Sequence, residues 1–451
     1  MKNASKQTGA PGGEAAAAIR AEERHLMNTY KRPAVVFTHG KGCYLYDSRG
    51  RVYLDFLGGI AVNALGHAHP RVVSTIRREA GRAIHFSNLY HNPYQGPLAA
   101  KLAAWSGLDR VFFTNSGTEA IEGALKLARL HARKAAGAAE HPPHKFLALE
   151  NSFHGRTFGA VSITATAKYR EPFAPLVPGA EFVRFNDLDD LAAKFDSSVC
   201  AIVMETIQGE GGIHPVSEEF YKLARKLAAH YGAALIADEI QCGLGRTGRP
   251  FAYQKFAATP QLLPDIVAVA KPIAGGLPLG ALLAREEFAQ AFTPGVHGTT
   301  FGGGPLVCAV ALEVLSTIER NKLMENVRAR GEEIRVGLAE LALRYGSIKQ
   351  IRGEGLMLGM ELDFDGAACV QHAMEERLLI NCAHERTLRL LPAFITGARQ
   401  VSEFLERMET VLAKSQPKGR SLPQPHSAAI KGLPSAVPEP ELAGAAHAEK
   451  G

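Results

Sequence analysis

An α/β fold around a mainly parallel sheet is predicted for this chain from three observations. Short, near-continuous apolar runs recur along it, as they do in strands buried on both faces. Most of them are separated by amphipathic helical segments. Several end abruptly in charged or Gly-rich loops, the place where open α/β sheets bind ligands.

The first strand-like run is "RVFFTNS", followed by the helical "TEAIEGALKLARLHARKA" with Ile121, Ala124, Leu125 and Ala128 on one face. "HKFLALEN", "SVCAIVMET", "GAALIADE" and "DIVAVA" are further strands, and "SEEFYKLARKLAAHYG" is a helix between two of them. From Leu306 to Lys414 the pattern changes to α+β, with one long helix up to "LALRYG" and then short strands in "IRGEGLMLGMEL" and "TLRLLPAF". Both ends read as loose, most clearly the Pro/Ala/Ser-rich stretch from Ser415 onward.

Composition narrows the class. With 46% hydrophobic and 21% charged residues the chain is an ordinary globular one. Net charge is +6, but Lys and Arg are scattered rather than striped, which favours a mildly basic enzyme over a nucleic-acid binder. No apolar run approaches the roughly 20 residues of a membrane span, and the polar start lacks a signal-peptide core. The six cysteines contain no CxxC pair, which fits reduced thiols in the cytoplasm better than disulfides or zinc. His67 and His69 in "GHAHP" have metal-ligand spacing but no carboxylate or Cys nearby, so they read as a turn and no metal is expected.

Four strand ends carry chemistry. Ser116-Gly117-Thr118 opens a helix; Ser116 with Glu119 is a capping box, and the same exposed N–H groups and hydroxyl would cradle a phosphate. Both readings stay open on that motif alone. Phe153-His154-Gly155-Arg156 offers an aromatic platform and a carboxylate clamp, or a plain surface loop. In "AALIADEIQCGLGRTG" a buried strand ends in Asp238-Glu239, an expensive place for a carboxylate without a cation. The G-x-G-x-x-G within it suggests a dinucleotide site, but the strand stops earlier and no helical pattern follows Pro250. Finally, Lys271 closes "DIVAVAK"; it is either a snorkelling side chain at the sheet's rim or a Schiff-base lysine. Together these ends supply a phosphate site, a stacking face, an acid and an amine, and pyridoxal 5'-phosphate uses all four.

These motifs, with "LDFLGGIAVNALGHAHP", "ETIQGEGGIHPVS", "AKPIAGGLPLGA", "HGTTFGG" and "INCAHERTLRLLP", resemble the class III (ω-amino) aminotransferases, fold-type I pyridoxal-phosphate enzymes, over about residues 25 to 413. The resemblance implies a large domain (76–305) with a seven-stranded-type sheet between helices. It also implies a smaller α+β domain built from 21–75 and 306–414; the loose ends at 1–20 and 415–451 rest on composition, and the tail has no counterpart in the family. It implies a homodimer with active sites at the interface. Lys271 would carry the cofactor and move the proton, and Asp238 would hold the pyridine nitrogen. Gln241 would reach the phenolic oxygen, and Phe153 would stack on the ring with His154 and Glu205 beside it. Ser116, Gly117 and Thr118 would bind the phosphate, joined by Thr300 from the other subunit.

On the substrate side the resemblance places Ile60 and Thr299, with Arg156 as the clamp for the distal carboxylate. Arg389 would bind the α-carboxylate of glutamate, and Glu210 would cover Arg389 when an ω-amine is bound. The implied reaction is ping-pong transfer from N-acetylornithine to 2-oxoglutarate. Succinylornithine, succinyl-diaminopimelate, ornithine and 4-aminobutyrate are the rival amines, and a non-catalytic pyridoxal-phosphate fold is the rival of another class. Ile121, Gly304 and "LPAFITG" depart from the family's commonest pattern, and Ile60 stands where ornithine δ-aminotransferases tend to carry Tyr.

Overall fold

The computed structural model describes residues 12–416, and its centre is a seven-stranded sheet. In chain order the strands are Arg110–Thr114, Lys145–Leu149, Ala180–Val183, Val199–Glu205, Ala234–Asp238, Ile266–Val269 and Gly280–Ala284. Across the sheet they run first, seventh, sixth, fifth, fourth, second, third. Only Gly280–Ala284 is antiparallel to its neighbours.

Every residue of Val199–Glu205, Ala234–Asp238 and Ile266–Val269 is buried, which is why their sequences are apolar without alternation. Alternate side chains still serve opposite faces. Ala234 and Ile236 pack with Ile121 and Ala124 of helix Gly117–Ala136, whereas Leu235 and Ala237 pack with Phe220 and Tyr221 of helix Glu218–Tyr231. Two strands escape the sequence pattern. Ala180–Val183 is a short edge strand, and Gly280–Ala284 is hidden inside the Gly- and Pro-rich "GGLPLGALLA".

A second sheet pairs the hairpin Ile348–Glu354/Met357–Leu362 with Thr387–Leu390 and Asn381–Ala383. A third joins Phe37–Lys41, Tyr44–Asp47 and Val52–Asp55 to Leu378–Leu379, so residues near the two ends of the chain share one sheet. Phe56 and Phe404, both fully buried, seal that junction with stacked rings 4.3 Å apart.

Three expectations differ from the structure. Residues 1–20 do not all read as loose, because Gly13–His25 is a helix. Four consecutive alanines favour it, and Glu14 in its first turn with Arg24 and His25 in its last complement the helix dipole. Residues 1–11 and 417–451 of the expected loose ends lie outside the described residues, and Ser415 closes the helix Ala398–Ser415. The long helix after Leu306 is two helices, Pro305–Arg320 and Leu323–Arg344, broken where Lys322 takes a left-handed backbone (φ 50°).

Removing the Phe404 ring leaves a cavity in the seal between the two ends of the chain. Phe404→Ala is therefore expected to lower stability by about 3–5 kcal/mol, read as a fall in the urea midpoint. An unchanged midpoint would mean that the stack contributes little.

Candidate active site

The parallel strands deliver their charged residues to one edge. Asp238 ends its strand directly opposite Glu205, the last residue of the neighbouring strand. Lys271 follows two residues after Ile266–Val269, on the other side of Asp238. These three line a cavity of about 420 Å³ outside the carboxyl ends of the sheet.

Asp238 has its own partner within the chain. Its Oδ2 accepts a hydrogen bond from Nδ1 of His154 at 2.7 Å, and its Oδ1 accepts the Ile240 N–H at 3.1 Å. A carboxylate only accepts, so Nδ1 of His154 carries the proton. The His154 side chain is fully buried, and its Nε2 has no partner among the described residues. Glu239, the neighbouring acid, points away from the cavity. It accepts from Thr206 Oγ1 (2.7 Å), Ala252 N (2.8 Å) and Tyr253 N (2.9 Å), and burial raises its pKa to about 7. The adjacent carboxylates thus divide the work: Asp238 faces the ligand space and Glu239 fixes the following turn.

Glu205 ties two loops together. One oxygen accepts the Phe153 N–H at 3.0 Å and the other accepts the Gly209 N–H at 2.8 Å. Burial raises its pKa to about 7, against the pull of His154 and with a further push from Asp238. Lys271 makes no hydrogen bond or ion pair among the described residues, and its exposed part faces the cavity. Burial lowers its pKa, and Asp238 pulls the other way. Such an amine is the nucleophile that condenses with an aldehyde.

The cavity's far wall is the start of helix Gly117–Ala136. Ser116 caps it by accepting the Glu119 N–H at 3.3 Å, but Glu119 returns to Asn115 N (2.7 Å) rather than to Ser116. The capping box is therefore shifted by one residue. Gly117 and Thr118 still line the cavity, so the cap leaves this helix N-terminus facing the ligand space. Gly117 is required by space, because a Cβ there would lie 2.8 Å from Ile240 Cδ1. Gly155 is required twice over, by its φ of 137° and by a Cβ that would lie 2.3 Å from Thr118 Oγ1.

Phe153, Arg156, Gln241 and Glu210 also line the cavity. Arg156 lies 3.8 Å above the Tyr169 ring and 5.4 Å from that of Phe153, so a cation waits at the cavity's rim on an aromatic bed. Arg389, almost fully buried, donates to Glu210 Oε1 at 2.7 Å and to Gln241 Oε1 at 3.3 Å, while its Nε donates to Asn381 Oδ1 at 3.2 Å. It reaches the cavity through Glu210 and Gln241 rather than lining it.

Besides Arg389, three expected residues do not line this chain's cavity. Ile60 sits in a left-handed turn (φ 60°) two residues before Val62, which does line it. Thr299 is tied to Asn115, whose side chain donates to its Oγ1 at 3.2 Å. Thr300 is exposed. Tyr169 was not legible as a site residue, since its short helix Ala167–Arg170 has no chemical signature of its own; Asn115 was legible only as the residue that precedes Ser116 in the first strand-end motif. "GLGRTG" opens no α-helix. Its Arg246 is fully buried and donates to the carbonyls of Leu356 and Pro392, which removes the dinucleotide reading. Among the described residues no group of three or more metal-ligating side chains occurs, and His67 pairs with Asp55 at 2.8 Å.

Test the cavity against pyridoxal phosphate and the donor set fits. It has an amine without a partner, a carboxylate held for a cation, a helix N-terminus for a dianion and an aromatic face between them. Fold and site define a pyridoxal-phosphate transferase of the α/β type. The chain belongs to the class-III aminotransferases, whose family model matches residues 26–412.

Known proteins agree with that placement. The acetylornithine aminotransferase of Gloeobacter violaceus is 45% identical over 397 residues, covering 88% of this chain and 97% of its own. That of Aquifex aeolicus is 44% identical over 390 residues, 86% of this chain and 100% of its own. Among solved structures, an ornithine aminotransferase from Toxoplasma gondii with partial occupancy of PLP at its active site superposes with a TM-score of 0.83. It is 32% identical and covers 88% of this chain and 94% of its own. The N-acetylornithine aminotransferase of Stenotrophomonas maltophilia has a TM-score of 0.74 at 33% identity, covering 88% of this chain and 98% of its own. The cofactor of this chain is pyridoxal 5'-phosphate.

Two measurements follow from this geometry. Borohydride fixation of pyridoxal phosphate to cofactor-free protein near pH 8, followed by peptide mapping, is expected to label Lys271 well before any surface lysine; labelling spread over several lysines would remove its special status. His154→Phe keeps the volume but removes the donor to Asp238. Its cofactor Kd in equilibrium dialysis is expected to rise about tenfold, the loss expected for a hydrogen bond to a charged group. An unchanged Kd would show that Asp238 holds its place without His154.

Proposed function

We propose that the chain transfers the terminal amine of N-acetylornithine to 2-oxoglutarate, giving N-acetylglutamate semialdehyde and glutamate, within arginine biosynthesis. The observation that carries this is the 2.7 Å pair between Glu210 and the almost fully buried Arg389 beside a cavity that already has Arg156 at its rim. When bound, the cofactor supplies an aldehyde carbon that accepts the amine and a ring that withdraws electrons from it. Asp238, fixed by His154, keeps a proton on the ring nitrogen. Lys271 would hold the cofactor's aldehyde carbon and, as the free amine, would be the group that moves a proton between the substrate and cofactor carbons. Gln241 donates to the ring's phenolic oxygen, Phe153 covers one face, and Ser116, Gly117 and Thr118 hold the phosphate.

Two arginines answer the problem of two substrates. Arg156 clamps the carboxylate that N-acetylornithine and glutamate both place at a distance from the reacting amine. Glutamate carries a second carboxylate beside its amine, and Arg389 receives it once Glu210 swings away. An ω-amine has no such group, and Glu210 then neutralises Arg389 in its place. The naming of the relatives as acetylornithine aminotransferases supports the choice of donor. We assign the working unit as a cytoplasmic homodimer in which Thr300 of one subunit completes the phosphate site of the other; its exposure outside its own cavity fits that role. Residues 76–305 form the large domain in this reading, and 21–75 with 306–414 the smaller one.

Titration of the yellow holoenzyme with N-acetylornithine, ornithine and 4-aminobutyrate in separate cuvettes tests the donor. Bleaching is expected at the lowest concentration with N-acetylornithine. If ornithine wins, the mechanism stands and the substrate changes, an outcome that the Toxoplasma gondii likeness makes worth including.

A further inference from the structure

We propose that Arg352, acting with Ile213, is the positioning device that places Glu210 over Arg389 and so sets how the site divides its preference between ω-amines and glutamate. The inference rests on the reading that Glu210 covers Arg389 when the donor is an ω-amine.

Register puts the two arginines in one row. Arg352 lies opposite Gly359 on the next strand, and Gly359 lies opposite Arg389 on the one after. Residues directly opposite in antiparallel strands face the same side, so both guanidinium groups rise from one face of this sheet, two strand spacings (about 10 Å) apart. The residue between them has no side chain. Into that gap drops the segment Gly209–His214, which carries Glu210.

The segment is gripped at two points. Ile213 is fully buried and plugs the space over the hairpin; a Cβ on Gly359 would lie 2.9 Å from Ile213 Cβ, and one on Gly353 would lie 2.9 Å from its Cγ2. A β-branched residue at φ 59°, as Ile213 is, occupies a costly backbone region that only its surroundings can enforce. Arg352 supplies the second grip. Its Nε donates to the Gly212 carbonyl at 2.7 Å and its Nη2 to Thr387 Oγ1 at 2.9 Å. One planar group thereby links the segment bearing Glu210 to the strand bearing Arg389. Glu361 and Gln350 Oε1 (3.0 Å) hold the third nitrogen, Nη1. His214 beside it has its pKa lowered to about 4, by burial first and Arg352 second, so at neutral pH it adds no competing cation.

Loosening either grip lets Glu210 leave Arg389 more easily. The consequence has opposite signs for the two substrate classes, which a general loss of structure does not produce. In Arg352→Gln the kcat/KM of the N-acetylornithine half-reaction is expected to fall about tenfold, while that for glutamate rises by up to about threefold. The Kd for glutarate, a dicarboxylate with no amine that competes with Glu210 for Arg389, is expected to fall by about threefold or more in direct calorimetric binding. Gly359→Ala, whose Cβ would lie 2.9 Å from Ile213 Cβ and 3.0 Å from Cγ2 of Thr387, the Arg352 partner, disturbs both grips without removing the guanidinium and is expected to shift all three quantities in the same directions.

Glu210→Gln separates the two ways of being wrong. If it fails to split the half-reactions, the gate itself is absent and the proposal falls with it. If it splits them but Arg352→Gln slows both equally or weakens glutarate binding, the gate stands and the positioning role is overturned. Combined with Glu210→Gln, Arg352→Gln should tighten glutarate no further; undiminished tightening would also overturn it.

Discussion

Helices close off both faces of the central sheet from water, so any charge its strands carry has to sit at their ends and be partnered there. Glu205 and Asp238 end two neighbouring parallel strands, one strand spacing of about 4.8 Å apart, and Lys271 follows two residues past the end of the next one. Burial in a space so enclosed pushes Glu205 up to about 7 and pulls Lys271 down, with Asp238 adding to the first shift and opposing the second. The topology therefore fixes the electrostatics of the cavity before any loop is specified. Loops then add what strands lack: a flat ring at Phe153, N–H groups at Gly117 and Thr118, and at Glu210 a carboxylate paired with Arg389.

Glu205 does more than contribute charge. By accepting from both Phe153 and Gly209 it couples the loop that carries Phe153 to the segment that carries Glu210, so the two share one anchor. Protonating it would leave at most one oxygen with full acceptor strength. The two N–H donors thus favour the ionised form that burial opposes. His154, itself part of the cavity wall, acts in the same indirect way by holding Asp238. Neither residue needs to touch the reacting atoms to govern where they stand.

Much of this was legible in the sequence because the chemistry lies next to the strands in chain order. Asp238, Lys271, Ser116 and Phe153 each follow an apolar run by a few residues, and periodicity locates those runs. What the sequence hides is non-local. Tyr169 lies beneath Arg156 from a separate short helix, and the sheet joining Val52–Asp55 to Leu378–Leu379 pairs segments over 300 residues apart. Arg352 reads as one more charge in a short strand until register sets it in a row with Arg389. The helix Gly13–His25 was missed for the opposite reason, since an Ala-rich run flanked by Gly resembles a loose end by composition while favouring a helix by propensity.

Arg246 shows the limit of reading a motif by its spacing. The glycines around it imitate a dinucleotide loop, yet their job is to let the backbone pass close to other segments: a Cβ on Gly248 would lie 2.3 Å from Arg328 Cγ. Arg246 is fully buried with no carboxylate beside it. Burial lowers its pKa to about 9, and its Nη1 donates to the carbonyls of Leu356 and Pro392 while Phe394 lies 4.5 Å beneath the guanidinium. An unpaired buried cation is expensive to maintain. Pro392 is three residues past Arg389, and Leu356 sits in the turn of the hairpin that carries Arg352 and Gly359. Arg246 therefore joins the turn after Asp238-Glu239 to both strands that support the gate, and the two charged ends of the cavity are held in one frame.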